Sequence, residues 1–123
     1  MMNYDFFTAQ MRFIVQKTER QSDEVALMMD ALEDVIAQLE AGDGASFRIE
    51  AQALRPTARA LAGVAGFMQQ HILPEATAAG NTSGEEQIRW TIDSCMSMMA
   101  NLMTQAELDK DEKGLDVVLP PFP

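Results

Sequence analysis

Apolar residues recur every seven positions, without a change of phase, from Tyr4 to Leu39. Tyr4, Met11, Thr18, Val25, Leu32 and Leu39 form one row, and Phe7, Ile14, Gln21, Met28 and Val35 form the row beside it. Two adjacent rows at this spacing lie on one side of a helix. The chain must therefore bury helices sideways against a partner element. Between Lys17 and Glu24 neither row holds an apolar residue, so the stripe has a polar gap at Thr18 and Gln21. The unbroken phase favours one continuous or kinked helix, which would be about 55 Å long at 1.5 Å per residue. The alternative is a turn, with Ser22 or Asp23 capping a second helix and Glu24 in its first turn.

The second half of this region is the clearest helix. Val25, Met28, Met29, Leu32, Val35, Ile36 and Leu39 fall on a broad stripe, with most acids off it. Ala41-Gly42-Asp43-Gly44 then stops it. Ser46 can cap the next helix, in which Phe47, Leu54, Leu61 and Met68 are spaced by seven. Pro56 lies inside that pattern and predicts a short lead-in helix, followed by a main helix from Pro56 to about Leu73. From Ala60 to Leu73 there is no Asp, Glu, Lys or Arg. Such a helix is central, or it lends one face to the core and another to a partner or second subunit. Pro74 ends it. Thr82 or Ser83 caps the last helix, where Ser83 with Glu86 would complete a capping box. That helix runs from about Gly84 to Leu108, with Ile88, Cys95 and Leu102 in one row and Ile92, Met99 and Ala106 beside it. Leu115 to Leu119 runs into Pro120, Pro121 and Pro123, which predicts an extended segment, polyproline-like at its end. It either straps across the bundle or docks on another protein.

The fold expected is all-α: an up-and-down bundle of three long helices or four over residues 1–113, with an extended Pro-rich C-terminal tail over 114–123. A chain of 123 residues is one domain able to bury a core without metal or disulfide. The net charge of −10 repels nucleic-acid phosphates and anionic membrane surfaces. No apolar stretch has membrane-spanning length. No basic region precedes an apolar run at the N-terminus, and Cys95 is the lone cysteine. These features fit a cytoplasmic protein without a membrane or direct nucleic-acid role.

Catalytic and metal chemistry find little support. His71 is the single histidine, too few imidazoles for a multi-histidine metal centre. An enzyme built on His71 would need a polar pocket reaching it. Cys95 sits on a core row without a cation to activate it. The acids match no calcium loop, and no phosphate-binding glycine motif occurs. No cofactor or metal is therefore expected.

Ten methionines stand out, because thioethers fill irregular cores and coat adaptable binding faces. The function expected is a small acidic protein-binding module, an adaptor, chaperone or regulator. Its contact residues would be Phe67, Met68, Met96, Met99, Met103 and Phe122. The partner would be another protein, basic or presenting an amphipathic helix, and a homodimer is a further option. The alternatives are an acidic mimic of nucleic acid, using the acids of residues 23–43, and a small enzyme using His71.

Overall fold

The computed structural model describes residues 4–42, 46–108 and 114–120. Helix α1 spans Tyr4–Lys17 and α2 spans Asp23–Ala41. The first region is thus two helices, not the continuous or kinked one that its phase favours. The reason is local: the Ser22 hydroxyl accepts a hydrogen bond from the Val25 amide at 3.2 Å, and Asp23 and Glu24 stand in the positive first turn. The polar gap of the stripe falls at the connection. The turn preserves the phase, so Phe7, Met11 and Ile14 on α1 face inward together with Leu32, Val35 and Leu39 on α2. Arg20, in the connection, binds Asp30 at 2.6 Å and Glu33 at 2.5 Å, which ties the turn back onto α2. The hydrogen bond to Asp30 raises the Arg20 pKa.

Ser46 does not cap a helix. Ser46–Ile49 is a strand, β1, paired antiparallel with β2, Leu115–Val118. Phe47 and Ile49 point inward, opposite Val117 and Leu115, while Arg48 faces Asp116 on the outside and binds it at 2.8 Å. This period of two is what a half-buried strand requires. The Arg48 amide donates to Gln38 Oε1 of α2 at 2.8 Å, which anchors the sheet to the bundle. The C-terminal segment therefore straps across the bundle as a strand rather than as a loose extension, and it buries Val117 and Leu119. The polyproline-like end, Pro121 to Pro123, lies outside the described residues.

A single 3₁₀ turn, Ala51–Ala53, leads into α3, Leu54–Phe67. Pro56 sits in the first turn of α3, where its missing amide costs no helical bond. A π turn, Met68–Ile72, and α4, Leu73–Ala78, continue the same rod. Pro74 does not end it. The Leu73 amide bonds the carbonyl of Met68, five residues back. That widened turn lets the chain run through a proline whose ring would crowd a regular helix. Gly80, with φ of +68°, turns the chain. Asn81, rather than Thr82 or Ser83, caps α5, Thr82–Leu108: its Oδ1 accepts from the Gly84 amide at 3.0 Å.

Among the described residues the main helices number four: α1, α2, the α3–π–α4 rod and α5. The most extensive packing joins α3 and α5. Small residues line it, with Ala58 and Ala65 on α3 and Thr91, Ser94 and Cys95 on α5 all buried. Trp90 closes the α1 side, its ring edge-on to Phe7 at 5.8 Å. Gly63 and Gly66 each lower helix stability by about 1 kcal/mol relative to alanine. The Thr91 hydroxyl is satisfied by the Gln87 carbonyl at 2.9 Å, but the Ser94 hydroxyl is buried without a hydrogen-bond partner among the described residues. A buried, unsatisfied hydroxyl destabilises by about 1–3 kcal/mol. Ser94→Ala is therefore expected to raise the chemical-denaturation midpoint by about 1 kcal/mol equivalent, and a lowered midpoint would contradict this packing.

Candidate functional site

Helix α5 presents the site from its own periodicity. Ile92, Met96, Met99 and Met103 stand at i, i+4, i+7 and i+11, so they form one seam along one flank. That seam lies beside the row of Ile88, Cys95 and Leu102, which is buried. Ile92, at the head of the seam, is buried, whereas Met96 is 45% exposed and Met99 and Met103 are half-buried against the core. The N-terminal end of the seam opens into a groove of about 130 Å³ between α5 and the α3–α4 rod, lined by Gln69, Leu73, Arg89, Ile92 and Asp93. Leu73 and Ile92 supply its apolar wall. Asp93 is exposed and Glu85 binds Arg89 at 2.8 Å, so charge of both signs rims an apolar strip.

The structure distributes the expected contact residues unevenly. Met96, Met99 and Met103 share the α5 seam. Met68 is fully buried and packs in the core, so it offers no surface. Phe67 is half-buried and turns toward α1, with its ring 6.4 Å from Phe13 and 5.0 Å from His71. Phe122 lies outside the described residues. Sequence reasoning missed Phe13, which is 40% exposed and lies off both apolar rows of α1. The signal for it was its spacing of seven from Phe6, a third row on α1 flanked by Gln10 and Lys17.

The other candidate chemistries meet a definite geometry. His71 is exposed on the π turn beside Phe67 and lines none of the three grooves described. The second of these, about 390 Å³ between α1 and α2, has Val15 and Ile36 as its floor and the Arg12–Glu40 ion pair at its rim. The third, about 200 Å³, lies between β2 and α5 beside Met98 and Asn101. Burial raises the pKa of the Cys95 thiol well above its ordinary value, which keeps it protonated and unreactive. The acids of α2 are largely drawn into ion pairs: Asp30 and Glu33 with Arg20, Glu40 with Arg12, and Glu24 with Arg59 at 3.7 Å. Among the described residues no group of three or more His, Cys, Asp or Glu side chains is placed to hold a metal ion. No helix among them is long and apolar enough to cross a membrane. Comparison with protein-family models, curated proteins and solved structures finds no match.

Proposed function

We propose that this protein is a small acidic helical adaptor or regulator that binds another protein through the Ile92–Met96–Met99–Met103 seam of α5. The observation that carries the reading is the seam itself: Met96, Met99 and Met103 at helix-pair spacing, running out of a groove whose apolar wall includes the buried Ile92. Unbranched thioethers adapt to partner side chains at little strain. The spacing suits an amphipathic helix laid along α5, whose anchors would repeat at i, i+3 or i+4, and i+7. The net charge of −10 favours a partner helix with basic flanks and speeds its encounter, an effect that added salt weakens. The ion pairs along α2 speak against the nucleic-acid mimic, because arginines already occupy carboxylates that a mimic would present.

The test is fluorescence anisotropy with a labelled basic amphipathic helix as the probe. Met96→Glu combined with Met103→Glu puts two charges into the seam and is expected to weaken binding by at least about tenfold, near 1.4 kcal/mol. Replacing Asp30 and Asp34 by Asn is expected to change mainly the salt dependence. Binding that ignores the methionine changes but vanishes with the α2 acids would overturn the proposal.

A further inference from the structure

The fold sorts its methionines by access to water. Met11 and Met68 are fully buried, and Met29 and Met98 are nearly so. Met28, Met99 and Met103 are half-buried against the core. Met96 is the most open methionine among the described residues. Helix geometry explains the contrast on α5. Met98 lies about 200° around the helix from Met96 and points into the core, on the side of the buried Cys95 and Leu102. Met96 lies on the outer flank, between Ile92 four residues before it and Met99 three residues after it. Its sulfur is therefore offered to solvent at the middle of the seam.

A thioether carries no proton to lose, so its lone pairs are available to two-electron oxidants at any ordinary pH. A thiol reacts as its thiolate. Cys95 is fully buried, and burial holds it in the protonated form. Between these two sulfurs, the fold hides the thiol and presents the thioether.

We propose that Met96 is a site of reversible sulfoxidation, and that its oxidation releases the client from the α5 seam. The inference rests on the client reading of that seam. With hydrogen peroxide as the oxidant, a lone pair of Met96 Sδ attacks one peroxide oxygen. The O–O bond breaks as the S–O bond forms, and the departing oxygen takes up the transferred proton and leaves as water. Sulfur loses two electrons and the peroxide gains them. Two thiols of a reductant reverse the step: they close to a disulfide and the sulfoxide oxygen leaves as water. The sulfoxide is a strong acceptor placed where the apolar face of a client helix would lie. That face offers it no donor, so it stays unsatisfied on binding. In the free protein the same oxygen faces water, so the fold does not pay for it.

Peptide mapping by mass spectrometry during mild peroxide treatment tests the site without reference to any client. Met96 is expected to oxidise at least about fivefold faster than Met11, Met29, Met68 and Met98. Anisotropy with the labelled basic amphipathic helix then tests the consequence. Oxidised protein is expected to bind at least about tenfold more weakly, with an unchanged thermal midpoint. A pair of methionine sulfoxide reductases, one for each sulfoxide epimer, restores the affinity. Met96→Leu binds the probe and no longer responds to peroxide, although every other methionine is still present. Met96→Gln binds as weakly as the oxidised protein. Met96 oxidising no faster than the buried methionines overturns the proposal, as does a Met96→Leu protein that still loses affinity on oxidation. Selective oxidation with undiminished binding overturns the switch and leaves the client reading intact. Unoxidised protein that ignores the probe overturns the client reading, and the switch with it.

Discussion

Met68→Ala is expected to lower stability by about 2–5 kcal/mol, the range for deleting a fully buried side chain and leaving a cavity. Met68 is fully buried within the π turn and belongs to the same core as Leu61 and Leu102. The π turn cannot collapse easily around a void, because the Leu73 amide already reaches five residues back to the Met68 carbonyl and Pro74 follows at once. In a chain of this size each kcal/mol moves the thermal midpoint by about 4 °C, so the loss is read directly in a melt. Met96→Ala is the control. At 45% exposure it is expected to change stability by about 0.5 kcal/mol or less. The pair separates methionines that hold the fold from methionines that face a partner. Equal losses at both positions would contradict this division.

Gly114→Ala is the second large effect. A Cβ at Gly114 would lie 2.3 Å from the Ile49 carbonyl oxygen and 3.2 Å from Glu50 Cα. Both are backbone atoms of the partner strand and its exit, so no side-chain rotation relieves the contact. The chain must move away at the first step of β2, where Leu115 pairs with Ile49. The strand is four residues long, so losing one end of the ladder threatens all of it. Overpacking of this kind destabilises by about 1–3 kcal/mol. The loss is expected to be local: amide exchange should accelerate at Phe47, Ile49, Leu115 and Val117 and leave the α3–α5 amides protected. Uniform acceleration across the helices would show instead that the strap is integral to the whole core. Unchanged exchange would show that β2 does not pair as described.

The helical part of this fold was legible because burial here follows sequence period closely. Phe7, Met11 and Ile14 on α1, and Leu32, Val35 and Leu39 on α2, are read from the spacing and are buried. The turn at Ser22 was readable only as an alternative, since a connection that preserves the heptad phase leaves no trace in it. The strand pair was hidden for a different reason. Arg48 and Asp116 are 68 positions apart, and a four-residue alternation gains meaning only once its distant partner is known. Phe47 also fits a seven-residue row with Leu54, Leu61 and Met68, so its burial agrees with a helix although its backbone is extended. The continuation through Pro74 depends on a π turn, which local propensity does not encode.

The site shows the same division. Met96, Met99 and Met103 were legible from spacing on one helix. Phe67 was singled out, but its neighbour Phe13 was not, because nothing in the sequence says which helix lies beside α3. Met68 has the chemistry of a contact residue, but its own row, from Phe47 to Leu61, marks it as core. The three earlier members of that row are all buried, and their period outweighs the methionine's chemistry as a guide.

The central claim is that α5, and not the acidic face of α2, meets the client. Methyl-labelled methionine makes this directly visible. On titration with a basic amphipathic helix, the methyl resonances of Met96, Met99 and Met103 are expected to shift together and saturate at one concentration, with buried Met11 and Met29 unmoved. Saturating shifts confined to Met28 and to the backbone amides of Asp30, Glu33 and Asp34, with the α5 methyls still, would contradict it.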